Sequence, residues 1–350
     1  MSLGIVARAD QSGLAQLSEQ VIDRLNPERV LVVSLGHLNR GTHDPHRFDA
    51  PGRRVFHTTH PAGFDSATLS GFLGGLTHAL TFETWYSRVL PESCVSWGVK
   101  RHLYAMPELY NAARPELAAD KVWLPCELGP GDGRRLRGVG ILPWWTPNVD
   151  ESTRIVRTLE AAIEAEGRVT FVHPTGQAMA DRNGTSSVIA AAAHMRQEAR
   201  LVIVGNQQHF GERCTVGNIE VIRVPRAEHW WQVYMLGDVL VLPRRYGWLS
   251  LPMFEAPAFG MPVITTQVWP QSEWFSPFDS CLVRTVGTPA AVNMKGGSTL
   301  VHTADPRDLG AAMDMMTDRR VLRDWSVMFS AWAKKYDWSS VEKRWKEAFA

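Results

Sequence analysis

The sequence has little cysteine. Its 4 cysteines, Cys94, Cys126, Cys214 and Cys281, lie far apart and form no C-x-x-C pair. A disulfide-stapled or zinc-ribbon scaffold is therefore not expected, and a reduced compartment such as the cytoplasm is. No apolar run approaches the roughly 18 residues a membrane-spanning helix needs, and the N-terminus lacks a basic segment followed by an apolar core. Neither a secretory leader nor stable membrane insertion is expected. Neither sign of charge is in excess, with 37 Lys and Arg against 36 Asp and Glu for a net charge of +1. Bulk charge thus gives no argument for a nucleic-acid partner, although a basic patch balanced elsewhere is compatible with these numbers. G-x-G-x-x-G is absent, which weighs against a nicotinamide dehydrogenase, and so are H-x-x-x-H and H-E-x-x-H.

What is present is an ordinary globular composition. The chain has 350 residues, 45% hydrophobic and 21% charged, enough for two domains with a core each. Short apolar runs alternate with helix-length segments, a pattern that argues for mostly parallel sheets. Residues 3–8 read as a first strand. The loop Asp10-Gln11-Ser12-Gly13-Leu14 then opens a helix to about residue 25, as at the start of a Rossmann-like half. Further strands are expected at 30–35, 78–82, 100–104, 122–125 and 140–143. The stretch from His37 to His60 reads as an irregular connection. Its five histidines, His37, His43, His46, His57 and His60, match no standard ligand spacing, and no metal is expected. Glu83 and Glu108 each follow a strand, where ligands of open α/β sheets sit; each reads either as a site carboxylate or as a cap on the surface. The 14 tryptophans read as core packing or as sugar-stacking surfaces.

Trp144 to Asp150 reads as a hinge, followed by a helix from Glu151 to Glu166. A second strand–helix series begins near Arg168. Its first loop runs from His173 to Thr185 and contains Arg182, Asn183 and Gly184, ahead of a helix over about 186–196. Arg182 can supply a bidentate phosphate contact or be a surface arginine. Strands are expected at 201–205 and 219–224, and a packing helix over 228–236. Residues 281–304 contain two apolar runs, Asp305-Pro306 opens a helix to about 317, and 337–349 is amphipathic.

One stretch, from Asp238 to Thr266, organises the rest. Val239 to Leu242 reads as a buried strand, and a basic loop with Arg244, Arg245 and Gly247 follows. Ser250 stands at a helix N-cap with Pro252 in the first turn, Gly260 and Pro262 close the helix, and 263–266 is the next strand. The start of a helix presents unpaired N–H groups and partial positive charge, which suits phosphate.

This stretch resembles the signature of glycosyltransferase family 4, the group 1 glycosyltransferases. Leu251, Pro252, Glu255, Ala256, Gly260, Pro262 and Val263 match its form. The R-R-Y-G variant is similar to a divergent branch associated with bacteriophage. The resemblance implies a GT-B fold: two Rossmann-like α/β domains facing across a cleft. The first, 1–145, would hold the acceptor and the second, 151–330, the donor, with a C-terminal helix, 331–350, returning to the first. It implies transfer of a sugar from a nucleotide-diphosphate donor, UDP-linked in the first instance, to an acceptor hydroxyl. Retention of configuration, no metal and no further cofactor follow from it, and the absence of D-x-D agrees. Gly13, Arg182, Asn183, Arg245, Gly247, Ser250, Leu251 and Glu255 are the implied donor-binding residues, with Glu255 on the ribose. Gly205, Asn206 and Arg226 are implied near the base. The family carries a glutamate where this chain has Gly247; either backbone amides around Gly247 to Leu251 replace it or the activity is altered. Asp10 and Glu83 are the candidates for the catalytic base. The implied acceptors are a hydroxymethylated pyrimidine in DNA or a hydroxyl on a virion protein. A rival reading is a transferase-derived module that binds nucleotide sugars without turnover; a third is a GT-B epimerase.

Overall fold

The computed structural model describes residues 2–10, 12–35, 43–59, 64–106, 110–111, 113–127, 139–149, 167–176, 181–205, 213–225, 229–247, 249–294 and 297–350. The chain divides into two units. One comprises Met1–Pro143, Met294–Gly297 and Val341–Ala350, and the other Trp144–Asn293 and Ser298–Ser340.

The first unit is built on seven strands: β1 (Leu3–Ala7), β2 (Arg29–Ser34), β3 (Arg54–Thr59), β4 (His78–Phe82), β5 (Lys100–Tyr104), β6 (Lys121–Leu124) and β7 (Val139–Ile141). Their order is β3-β2-β1-β4-β5-β6-β7, with every adjacent pair parallel. All of β1 is buried, and Ile5 lies opposite Val30 on one side and Leu80 on the other. A parallel sheet is covered on both faces, which is why β1 reads as a continuous apolar run and why even His78 and Thr81 of β4 are buried. Helices α1 (Gly13–Leu25), α2 (Ser66–Leu73) and α3 (Val89–Ser96) complete the described layers. The end of the chain belongs to this unit: Trp345 stacks on Tyr104 at 5.5 Å and donates Nε1–H to the Pro143 carbonyl at 2.9 Å. The stretch expected to be wholly irregular contains β3. An edge strand with only one buried residue offers no apolar run to read, which is why its Arg, His and Thr residues looked like loop.

The second unit repeats the plan with β8 (Thr170–Gly176), β9 (Ala199–Gly205), β10 (Arg213–Val216), β11 (Ile219–Val224), β12 (Val239–Leu242), β13 (Val263–Thr266) and β14 (Leu282–Val283). The order is β10-β11-β9-β8-β12-β13-β14, and the β10–β11 pair is antiparallel while the rest are parallel. A separate ribbon pairs β15 (Ala290–Met294) with β16 (Gly297–Val301). Helices α4 (Thr185–Ala192), α5 (Leu251–Ala258), α6 (Pro306–Met316) and α7 (Arg319–Lys335) follow in order, and α8 (Trp338–Glu347) starts in this unit but belongs from Val341 onward to the first. Aromatic side chains weld α7 to the elements beneath it: Phe329 stacks on Phe278 at 4.0 Å, and Trp332 lies 5.8 Å from Phe254. Trp85, Trp144, Trp145 and Trp345 are among the largest fully buried side chains, so for these four the packing reading holds. The segment expected as a packing helix at 228–236 is a 3₁₀ turn over Trp230–Met235. The expected helix at 151–166, and Glu108, Asn206 and Arg226, lie outside the described residues.

Among the parallel strands of each sheet the order reverses once, between β1 and β4 and between β8 and β12. Beyond the carboxyl ends of such strand pairs an α/β sheet leaves a crevice between diverging loops, and ligands settle there.

Candidate functional site

In the second unit the described parts of the two loops at that crevice are 181–184, before α4, and 243–247 with 249–250, before α5. They are tied closely. Arg245 N–H donates to the Arg182 carbonyl at 2.9 Å. Gly184 has φ +77, and a Cβ on it would lie 2.3 Å from the Pro243 carbonyl oxygen. Only glycine permits that approach. His173, fully buried on β8, links three elements: Nδ1 meets the Val241 carbonyl at 2.8 Å and Nε2 the Thr185 hydroxyl at 2.8 Å. A carbonyl only accepts, so Nδ1 carries the proton and Nε2 accepts from Thr185. Burial lowers the imidazole pKa to about 4, so at neutral pH His173 is an uncharged strut. Asn183 is also buried and donates to the Pro174 carbonyl at 2.8 Å, closing its own loop.

Cationic groups gather over Gly247. Its φ is +98, and a Cβ there would lie 2.1 Å from Arg182 Nη2 and 2.7 Å from Arg244 Nη2. The two guanidinium groups therefore occupy the space in which any larger residue at 247 would place its side chain. Arg182 lies over the Tyr246 ring at 5.2 Å, an arrangement that attracts a cation to an aromatic face. Arg244 is buried and donates to the Ser250 hydroxyl at 3.0 Å. Ser250 thus stands at the N-cap of α5, but its hydroxyl serves Arg244 and makes no cap bond. Arg245 turns elsewhere, to the His302 carbonyl at 3.2 Å and toward the Asp181 carboxylate at 4.0 Å.

The two helix starts at this crevice differ. Asp181 accepts from the N–H groups of Thr185 at 2.6 Å and Ser186 at 3.2 Å, so the start of α4 already holds an anion. At α5, among the described residues, nothing accepts from the N–H of Ser250 or Leu251, and Pro252 has none to give. An incoming anion is accordingly favoured at α5, beside Arg182 and Arg244. Gln271, 2% exposed, steadies this loop by donating Nε2–H to the Gly247 carbonyl at 3.2 Å.

Glu255 lies one turn into α5. It is 3% exposed and its Oε2 accepts from the Tyr234 phenol at 2.5 Å. A solvated helix carboxylate is excluded. Burial, together with the carboxylate, pushes the Tyr234 phenol well above its ordinary pKa, so it remains a donor. Tyr234, His173 and Gln271 were not singled out from sequence. The aromatic spacing around Tyr234 looks like packing, and the other two act through partners distant in the chain.

In the first unit Asp10 and Glu83 stand on the loops after β1 and β4, and Gly13 is the first residue of α1. Asp10 is buried; one carboxylate oxygen is held by Arg8, with Nε at 2.9 Å, and the other by Ser12 N–H at 2.9 Å. Burial alone would raise its pKa, but the Ser12 hydrogen bonds and the Arg8 charge outweigh it and the pKa is lowered. The carboxylate is thus an ionised fastener of its loop, a poor starting point for proton abstraction. A Cβ on Gly13 would meet nothing within 4 Å, so packing makes no demand for glycine there. Glu83 has φ +67, and Tyr86 in the same loop has φ +65. Two non-glycine residues in the left-handed region mark a loop held in a costly conformation. Trp85 between them is fully buried and anchored by its N–H to the Glu116 carbonyl at 3.0 Å. The Tyr86 phenol is raised in pKa, by burial first, with Glu83 and Asp10 adding to it and Arg8 opposing. Among the described residues no group of three or more His, Cys, Asp or Glu could hold a metal ion.

Residues 170–318 match the family described as glycosyl transferases, group 1. No curated protein sequence matches the chain. Among solved structures, sucrose-phosphate synthase from Thermosynechococcus elongatus aligns with a TM-score of 0.66 at 14% identity, over 100% of this chain and 98% of its own. HepE from Anabaena, solved in complex with UDP, aligns with a TM-score of 0.64 at 12% identity, over 99% of each chain. A trehalose-6-phosphate synthase studied for glycosyl transfer with retention aligns with a TM-score of 0.59 at 10% identity, over 100% and 98%. The chain therefore has the GT-B fold, and the segment that matches group 1 glycosyl transferases is the one that carries the arginine-lined crevice.

Proposed function

We propose that this protein is a glycosyltransferase that binds a nucleotide-diphosphate sugar in its second unit and transfers the sugar to an acceptor hydroxyl. One observation carries the reading: the open start of α5 lies beside the Arg182 and Arg244 guanidinium groups, which meet over Gly247. The diphosphate is the leaving group, so charge grows on it as the glycosidic bond breaks. Preorganised N–H donors and guanidinium groups stabilise that charge without rearranging. Arg182 bonds the diphosphate in bidentate fashion, Ser250 and Leu251 give backbone N–H groups, and Glu255, held by Tyr234, accepts from the ribose. Arg245 sets the loop through His302 and Asp181. UDP is the nucleotide first to be tried, since HepE has been solved with UDP-glucose. No metal or further cofactor takes part in this proposal, and retention is carried over from the resemblance.

The acceptor is bound by the first unit, on the loops with Glu83 and Tyr86. The phage-like variant of the signature favours a hydroxymethylated pyrimidine in DNA or a virion protein hydroxyl. A second reading, a binding module without turnover, is favoured by Gly247 standing where the resemblance calls for glutamate.

Titration calorimetry with UDP, followed by incubation with a panel of nucleotide sugars and mass spectrometry of candidate acceptors, tests both. UDP binding that Arg182→Ala weakens, together with a sugar mass gained on an acceptor, is the expected result. Binding without hydrolysis or transfer for any sugar selects the module. No binding of any nucleoside diphosphate overturns both.

A further inference from the structure

The exposed face of α7 has a composition that its fold does not require. The inner face is accounted for by Leu322, Phe329, Trp332 and Ala333, all buried. On the outer face Val327 is 66% and Met328 45% exposed, with exposed Ala331 one turn further on. Single exposed apolar residues are common and mean little. Here they sit together at the middle of a helix of about 25 Å (17 residues), and cations stand at both ends. Arg320 and Arg323 lie in the first turns and Lys334 and Lys335 in the last, all exposed. At about 100° per residue these seven positions fall within an arc of roughly 140°, and Asp324 is the acid that shares it.

We propose that this face docks on an anionic phospholipid surface, with Val327 and Met328 entering the headgroup boundary and the four cations contacting lipid phosphates. Basic residues flanking a short apolar patch match what an interfacial helix needs. The contact is superficial, because among the described residues no helix is long and apolar enough to cross a membrane. Two other occupants fit less well. A nucleic acid would use the cations but has no use for Val327 and Met328. A second copy of this face would bring like charges together at both ends, which opposes association. The inference is independent of the donor-site reading.

The test is co-flotation of the full chain with vesicles of phosphatidylcholine alone or with about 30% phosphatidylglycerol, at low salt and at about 0.5 M salt. The expected result is binding at least about tenfold stronger to the anionic vesicles and lost at high salt. Val327→Ser with Met328→Ser should reduce binding several-fold, and Arg320→Glu with Lys334→Glu should abolish it. Both variants should keep their thermal melting profile, which shows they are folded. Equal binding to both vesicles, or no binding, overturns the proposal. So does binding that ignores the Val327 and Met328 changes and is displaced by duplex DNA, which would make the face a polyanion site. Self-association in ultracentrifugation that Val327→Ser removes would assign it to a second copy instead.

Discussion

The Tyr234 phenol and the Glu255 carboxylate are joined by a buried 2.5 Å hydrogen bond between a 3₁₀ turn and the helix that follows β12. The bond gives a buried carboxylate a partner and sets the rotation of its side chain. Tyr234→Phe removes the donor and leaves the oxygen buried. Loss of a donor to a buried acceptor costs on the order of 1–3 kcal/mol, which chemical denaturation of the variant should reveal. UDP affinity should fall with it. A variant as stable as the parent would mean that the bond contributes nothing.

Gly247→Ala tests the crowding directly. The position has φ +98 and no room beside Arg182 and Arg244. The new methyl group must displace both guanidinium groups and strain the loop, so UDP binding should weaken by about tenfold or more, since about 1.4 kcal/mol of misplaced contact suffices. Calorimetry on a variant with unchanged circular dichroism is the measurement; retained affinity would remove the guanidinium pair from the site.

Arg182 and Asp10 make a contrasting pair. Arg182→Lys keeps the charge but loses the planar fork, so it should bind UDP more weakly than the parent and better than Arg182→Ala. Asp10→Ala, on a different unit, should leave UDP affinity unchanged. It frees Arg8 and the Ser12 N–H, and should lower the melting temperature. Equal loss of UDP affinity in Arg182→Ala and Asp10→Ala would contradict a donor site confined to the second unit.

His173 gives a pH prediction. Its folded pKa is lowered to about 4 by burial, against an unfolded value near 6.5. The unfolded state therefore binds the proton first. The stabilising contribution is present above about pH 6.5 and is lost progressively as pH falls toward 4, by on the order of 2–3 kcal/mol. Denaturation midpoints at pH 7.5 and 4.5 should differ more for the parent than for His173→Asn. His102, also lowered to about 4, adds a second drop over the same window that the His173 variant keeps.

Much of the frame was legible in the chain. Val239–Leu242 and Val263–Thr266 are strands because short β-branched runs between turn residues have few alternatives, and Pro252 with Gly260 brackets the intervening helix. The double α/β plan followed from the alternation itself. β3 was not legible, because an exposed edge strand lacks the apolar run. The 3₁₀ turn at Trp230–Met235 was not either, since a helix and a tighter turn share nearly the same apolar spacing.

The sequence alone determined the α/β class, the recurrence of strand and helix, and the local signature around α5, because these depend on neighbours within a few residues. Only the tertiary structure decided that Arg244 serves Ser250 while Arg245 turns to His302, although the two are adjacent in the chain. It likewise decided that Asp181 fills the start of α4 and that Tyr234 holds Glu255. The physical reason is that a side chain's role depends on which partner lies within about 3 Å, and strand order brings such partners together from distant positions.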